Sequence, residues 1–416
     1  MVEIWLPYGK TEAPVKIPDE SLIGILDAGE TLGTEKASDE IVRAIDNPIG
    51  SQRLETIAKP ADKVTIIADD VFFPNEFVLS ALVNKLTALG IKEPDITVIL
   101  GSNIQCLEPS RKLALKGMIN GVNVIESNVD CDSFIYVGET SRGTKILLNK
   151  GFAEADVRIL TGRIGFHPFA GYTGGRDGIL PVCGAETIRR SGALILDSES
   201  KARQLDKNQL HLDLEEAAKL AKVNFIVNGI LNSKGEILKI VAGDLDQAFM
   251  EGVKFMDEKF CLPIEKAADI VIFSSGGYPW DTTLYLSCGG LSSALSVIRD
   301  GGVIIWVAES LDGYGNGVFY DWMTRFKTTG EASVEIKKKF TLGGDTAYIL
   351  MKALERAKVI LVSVLPDYYA TGIFRLKTAR TVNTALNLAF KALDKKGKIL
   401  VIPHGNTVFP TIKKEM

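Results

Sequence analysis

The stretch Thr161-Gly162-Arg163-Ile164-Gly165-Phe166-His167-Pro168-Phe169-Ala170-Gly171-Tyr172-Thr173-Gly174-Gly175-Arg176-Asp177-Gly178 holds more potential chemistry than any other part of the chain. Its glycines, Gly174 and Gly175 among them, leave no Cβ to stop backbone N–H groups from converging on an anion. Arg163 and Arg176 carry guanidinium forks that match a carboxylate or a phosphate. His167, one of three histidines in the chain, lies in this loop rather than on an apolar helix face, and an imidazole there suits a general base near neutral pH. Asp69 and Asp70 follow a β-branched run and suit a hydroxyl ligand or the cap of the next helix. Gly101-Ser102-Asn103 follows the next such run. His211 opens a helical stretch, where capping or packing explains it, and His404 sits in a turn near the C-terminus. Further on, Ser274-Ser275-Gly276-Gly277-Tyr278-Pro279-Trp280-Asp281 lies between a strand and a helix, a place where anions bind helix N-termini. Asp312-Gly313-Tyr314-Gly315-Asn316-Gly317 is a second glycine-rich turn after a strand.

The elements that would position these groups are short β-branched runs alternating with amphipathic stretches, the pattern of β-α-β units around a mostly parallel sheet. Strands are predicted at 64–67, 96–100, 122–125 and 157–160, then at 269–273, 302–307, 359–362 and 398–402. A helical stripe at 78, 79, 82, 83, 86 and 89, closed by Gly90, predicts a crossover helix over 76–89. Other helices are expected near 283–299, 345–356 and 379–394. A chain of 416 residues exceeds one ordinary core, which stops growing near ~250–300 residues. The expectation is therefore α/β, with two domains, each a mostly parallel sheet flanked by helices. The boundary is placed near 262–267, with domains 1–263 and 264–416, and the strand at 398–402 suits either sheet. Ligands bind beyond the carboxyl ends of strands in such sheets, which is where the loops named above fall.

Composition narrows the function classes. Hydrophobic residues make up 46% and charged residues 24%, an ordinary globular balance. A net charge of −4 provides no basic field for a polyanion, so nucleic acid is not expected as a partner. No run approaches the ~18 apolar residues of a membrane span and the start resembles no signal peptide, so a cytoplasmic protein without membrane contact is expected. The cysteines at 106, 131, 183, 261 and 288 are odd in number and widely spaced, which predicts reduced thiols rather than disulfides or a zinc knot. Oligomeric state is not legible.

Taken together, Leu6-Pro7-Tyr8, Asp46-Asn47-Pro48-Ile49-Gly50-Ser51, His167 through Arg176, Gly276-Gly277-Tyr278-Pro279-Trp280-Asp281 and Asp312-Gly313-Tyr314-Gly315 resemble the lactate racemase family of nickel-pincer enzymes along nearly the whole chain. The resemblance implies two α/β domains with the site in the cleft between them, holding a nickel-pincer nucleotide derived from nicotinic acid, to which a hydride leaves from C2 of a 2-hydroxy acid and from which it returns. It also implies two proton-exchanging histidines. His167 matches one, and Asn103 stands in place of the other. Asp70, the loop glycines, Arg176 and Tyr285 match the family. Asp177 stands where the family's tethering lysine follows Gly-Gly-Arg, and a carboxylate cannot form the thioamide link. Where the nickel histidine falls, this chain reads Arg189-Arg190-Ser191-Gly192, so no metal ligand is assigned. Phe73 replaces a family arginine, and Gly289 and Leu286 replace a lysine and a glutamine.

The expectation is an isomerase, epimerase or lyase that acts on a small anionic 2-hydroxy acid or sugar acid, without the tethered nickel-pincer nucleotide. In it His167 is the base and Asp70 a second catalytic group, with Asn103, Arg163, Gly174, Gly175, Arg176, Asp177 and Tyr285 lining the site. The alternatives are a nickel-pincer-dependent 2-hydroxy-acid racemase with a noncovalently held cofactor, and a non-catalytic ligand binder, to which Phe72 and Phe73 would give aromatic walls.

Overall fold

Val64–Ala68 is buried at every residue, as a strand must be when both faces of a parallel sheet are covered. It lies at the centre of a six-stranded sheet in the order Ile237–Gly243, Phe225–Leu231, Val157–Arg163, Val64–Ala68, Ile96–Leu100, Asn123–Glu126. The first pair is antiparallel and the remaining pairs are parallel. The computed structural model describes residues 1–29, 32–101, 115, 117–129, 133–394 and 397–413, and this sheet organises one compact unit, residues 31–256.

Alternation decides its two faces. Val64, Ile66 and Ala68 point into a core shared with the helices Ala37–Asp46 and Asn75–Ala88. The second helix buries Val78, Leu79, Leu82, Val83 and Leu86, the stripe legible in the sequence, and each such side chain contributes ~1.5–3 kcal/mol of transfer free energy. On the other face, the 3-10 segment Gly175–Val182 lies against the strands. The chain runs from Val64–Ala68 outward to Ile96–Leu100 on one side, and from Val157–Arg163 outward to Phe225–Leu231 on the other. The strand order therefore reverses between Val64–Ala68 and Val157–Arg163, which makes a crevice at their carboxyl ends.

The second unit comprises residues 1–30 together with 257–416. Its six-stranded sheet is parallel throughout, in the order Lys377–Thr378, Lys358–Val362, Ile298–Val307, Ala268–Ser274, Ile399–Ile402, Leu22–Ile25. A hairpin of Val2–Tyr8 and Thr11–Ile17 buries Ile4, Leu6, Val15 and Ile17 in one core with Ile270, Ile272, Val303 and Ile305, alongside the helix Val382–Leu393. The expected division places residues 1–263 in the first domain. The first thirty residues belong with the C-terminal half, because Leu22–Ile25 pairs with Ile399–Ile402 and the hairpin's apolar face packs on that sheet. The expected strand at 398–402 lies in this second sheet. No helix among the described residues is long and apolar enough to cross a membrane.

Phe73 shows how tightly the first sheet is packed. Its ring is fully buried and lies over Gly229, where an added Cβ would stand 2.5 Å from Phe73 Cε2 and 3.1 Å from Ile240 Cδ1. Phe73 is therefore a core residue rather than the site wall expected of it. Gly229→Ala is expected to destabilise the protein by ~1–3 kcal/mol through overpacking, and adding Phe73→Leu should recover part of the loss. Chemical denaturation of the two variants checks this; a neutral Gly229→Ala would show that Phe73 is not pinned there.

Candidate active site at the strand ends of the 31–256 unit

Because Val64–Ala68 and Val157–Arg163 are parallel neighbours, the residues that leave their carboxyl ends emerge side by side. Arg163 Nε stands 3.0 Å from Asp70 Oδ2, and both side chains are 17% exposed. Shielding of this degree strengthens the pair relative to one at the surface. Asp70 Oδ1 accepts from the backbone N–H of Phe72 (2.9 Å), and Asn75 Nδ2 donates to the carbonyls of Asp70 (2.7 Å) and Phe73 (3.1 Å), which fixes the turn. The Phe72 ring lies under the Arg163 guanidinium, 5.1 Å from Cζ to the centroid. Of the two expected aromatic walls, only Phe72 touches this site.

His167 and Phe166 pair with Gly171 and Tyr172 in a short hairpin. Within it, His167 Nδ1 accepts from the backbone N–H groups of Phe169 (3.1 Å) and Ala170 (2.8 Å). A ring nitrogen that accepts two N–H groups carries no proton, so the neutral ring bears its hydrogen on Nε2. Burial, with Arg176 and Arg163 nearby, pushes the imidazole pKa down to about 3. His167 is thus a neutral hydrogen-bond donor at Nε2. The general-base role expected from the sequence would need Nδ1 released from these two bonds, since Nε2 already carries its hydrogen and has no lone pair to offer. The ring also shapes the loop it belongs to.

Arg176, expected to line the site, faces its own loop. It is fully buried and turned into its own loop, where Nη1 donates to Gly174 O (3.0 Å) and Nη2 to Ala170 O (2.8 Å) and Tyr172 O (2.9 Å). Its guanidinium lies over the Phe249 ring at 4.4 Å. Both Nη groups engaged in this way hold the loop, while Nε is buried without a partner among the described residues. The glycine N–H groups are engaged too: Gly174 N donates to Asp177 Oδ1 (2.8 Å) and Gly175 N to Asn228 Oδ1 (3.0 Å). The loop is therefore filled by the chain's own acceptors rather than poised for an external anion.

Asn228, which sequence reading missed, also donates from Nδ2 to Gly162 O (3.0 Å) and so ties loop to strand. Its signal was a lone amide inside the buried run Phe225–Leu231, because a buried polar side chain persists where it has partners. Asp177 remains the group with chemical freedom. Gly174 N fixes Oδ1, Oδ2 has no partner among the described residues, and the side chain is partly exposed. Burial, and to a smaller extent the Asp70 charge, push its pKa up to about 6, against the opposing pull of Arg176, the Gly174 N–H and Arg163.

Asp70, Arg163, His167, Gly174, Gly175, Arg176 and Asp177 thus gather at one end of one sheet. Asn103 lies outside the described residues. Tyr285 belongs to the other unit, in the helix Leu284–Ser287, where its N–H donates to Tyr314 O (3.1 Å) and its ring lies 5.9 Å from Phe319. In that unit the buried Asp281 accepts from Gly9 N (2.8 Å) and Glu309 N (3.0 Å), which ties the 276–281 loop to the hairpin tip. Beside it, burial, Glu309 and Asp281 push the Tyr8 hydroxyl up to about 12. His211 packs, as expected: its ring stacks on Phe249 at 6.2 Å. Cys183, Cys261 and Cys288 are free thiols, and burial pushes Cys183 up to about 12. Cys106 and Cys131 lie outside the described residues. Arg189-Arg190-Ser191-Gly192 closes the helix Ala185–Gly192, and no three His, Cys, Asp or Glu among the described residues converge as metal ligands.

Comparison with known proteins defines the class. A model of the lactate racemase N-terminal domain matches residues 8–203, and one of the lactate racemase C-terminal domain matches residues 264–409. The chain is 31% identical to the lactate racemase of Thermoanaerobacterium thermosaccharolyticum, over 98% of this chain and 99% of that one. It is 30% identical to the lactate racemase of Lactiplantibacillus plantarum, over 97% and 99% respectively. The structure of the lactate racemase apoprotein from T. thermosaccharolyticum matches with a TM-score of 0.87 at 28% identity, over 98% of this chain and 100% of that one. A Thermotoga maritima protein of known structure, 14% identical with a TM-score of 0.66, shares the fold. These likenesses define an enzyme of racemase or isomerase type on an α/β scaffold. The chain belongs to the lactate racemase family.

Two outcomes follow from this geometry. Arg176→Lys should lower the melting temperature of the unliganded protein markedly, because loop carbonyls lose partners at ~1–3 kcal/mol each; an unchanged melting temperature would restore the anion-clamp role. Asp177→Asn keeps the acceptor for Gly174 N and removes the charge. A folded-state pKa raised from 3.8 to about 6 means that the carboxyl's favourable contribution is complete below the unfolded pKa and lost as pH rises through the folded one. The variant should therefore melt above wild type at pH 8 and converge with it near pH 4. Melting curves across that range decide the matter, and a variant less stable at pH 8 than at pH 4 relative to wild type would contradict the sign.

Proposed function

We propose that this chain isomerises a small 2-hydroxy acid or sugar acid by proton transfer at the hydroxyl-bearing carbon, without a tethered nickel-pincer nucleotide. The observation that carries this reading is the Asp177 carboxyl seated against Gly174 N, directly after Gly-Gly-Arg. A carboxylate forms no thioamide with the cofactor. Gly174 N and Gly175 N already meet protein acceptors. The residues present do not fit the tethered group, and no step is routed through it.

The remaining groups suit the alternative chemistry. Arg163, held by Asp70, supplies positive charge at the crevice for a substrate carboxylate. His167 offers an Nε2–H donor, fixed by the two bonds to Nδ1, to the oxygen on which charge develops when the neighbouring carbon loses its proton. Preorganised charge and donors of this kind are what stabilise an enolate-like transition state. The names of the relatives, both lactate racemases, agree with an inversion at such a carbon.

The test separates the two chemistries by isotope. A panel of 2-hydroxy and sugar acids is incubated with chelator-treated protein in deuterated water, and stereoisomers and C–H signals are followed by chiral chromatography and NMR. The expected result is stereoinversion of at least one acid with deuterium incorporated at the inverted carbon. Inversion with full retention of protium would mean internal hydride transfer and sink the proposal, as would a panel without inversion or exchange.

A further inference from the structure

We infer that Asp177, and not His167, is the group that takes the proton from the hydroxyl-bearing carbon, an inference that rests on the proton-transfer reading above. The geometry leaves one candidate acceptor among the described groups of the crevice. His167 Nδ1 is closed by the N–H groups of Phe169 and Ala170, so Nε2 already carries a hydrogen. Asp70 has Oδ1 on Phe72 N and Oδ2 paired with Arg163. Asp177 has Oδ1 on Gly174 N, which holds the carboxyl in one orientation, while Oδ2 keeps its lone pairs for a substrate.

Among the described residues, the charged groups that bear on this carboxyl are Arg176 on its own turn, Arg163 at the end of one strand and Asp70 after the next. Burial and the Asp70 charge make it more basic than an ordinary aspartate, and Arg176, Gly174 N and Arg163 stop the rise at about 6. A base with that affinity is ionised at neutral pH and still able to hold a proton, the compromise that general acid–base catalysis favours.

The step balances within the site. The carboxylate Oδ2 takes the proton from the carbon, and the electron pair of the broken C–H bond moves into the substrate's carboxyl group. Arg163 and the His167 Nε2–H stabilise the resulting enediolate. The protonated carboxyl then returns a proton, exchanged with solvent, after the planar intermediate presents its other face. No electron carrier enters the cycle.

The experiment compares wild type, Asp177→Asn, Asp177→Glu and His167→Gln on the acid that exchanges best, measuring deuterium incorporation against pH. In wild type, kcat/KM should rise with pH through about 6, because the acceptor works when ionised. Asp177→Asn, nearly isosteric and still able to accept from Gly174 N, should lose at least ~100-fold and with it the rising limb. Asp177→Glu should regain part of the rate with a displaced limb. His167→Gln should be slower but keep the limb. Circular dichroism confirms that each variant is folded, and 13C NMR of aspartate-labelled wild type and Asp177→Asn should show one carboxyl titrating near pH 6 in the former and missing in the latter. Exchange in Asp177→Asn within threefold of wild type, or a limb lost in His167→Gln and retained in Asp177→Asn, would overturn the inference while leaving the proton-transfer reading standing. No exchange by wild type on any acid would overturn both.

Discussion

The Arg176 guanidinium is buried without a direct carboxylate partner, and the shape of the candidate site depends on how that charge is satisfied. A buried cation needs several good hydrogen bonds to offset its lost hydration. Arg176 obtains them from the carbonyls of Ala170, Tyr172 and Gly174, with the face of Phe249 beneath it. These three carbonyls lie on the hairpin and on the turn that follows it, so one side chain sets the curvature of both. Gly171 makes the fold-back possible: at a φ of 84° it adopts a conformation that a side chain would strain, and an added Cβ would stand 2.4 Å from Gln204 O. The hairpin in turn delivers two N–H groups to His167 Nδ1, and so the protonation of the imidazole follows from the burial of the arginine.

The same arrangement distributes charge in the crevice. Arg176 and Arg163 both disfavour a charged His167, which keeps that ring a donor. Asp70 offsets Arg163 at close range, and its negative charge raises the affinity of Asp177 for a proton. The crevice thus holds two carboxyls of unlike character, one fixed in an ion pair and one with an open oxygen. An environment that raises the proton affinity of a carboxyl with an open oxygen suits it to proton transfer.

The other unit is built on a different constraint. Its sheet needs cover for one face, and the N-terminal hairpin and the helix Val382–Leu393 supply it. The buried Asp281 then anchors the hairpin tip through Gly9 N and Glu309 N. The glycine-rich loop after this strand therefore ends in a carboxylate that binds backbone N–H groups of two other segments, whereas in the 174–177 turn of the first unit Asp177 accepts from an N–H of its own turn.

Periodicity made much of the fold legible. The helical stripe at 78–86, the β-branched runs at 64–68 and 268–274 and the alternation of strand and helix report burial, which acts residue by residue and leaves its mark on sequence. The likeness to the lactate racemase family was equally legible, because its motifs are local strings. What local strings do not contain is strand order, and so the return of residues 1–30 to the second sheet, the switch point that sets Asp70 beside Arg163, and the tie from Asn228 to Gly175 were decided in three dimensions. The same limit governs the loop. By composition, glycines, two arginines, a histidine and an aspartate read equally as an anion clamp with a general base or as a self-satisfied turn. Only the direction of Arg176, the two N–H groups at His167 Nδ1 and the contact of Asp177 with Gly174 distinguish them, since a hydrogen bond depends on distance and angle between atoms whose relative positions the rest of the fold sets.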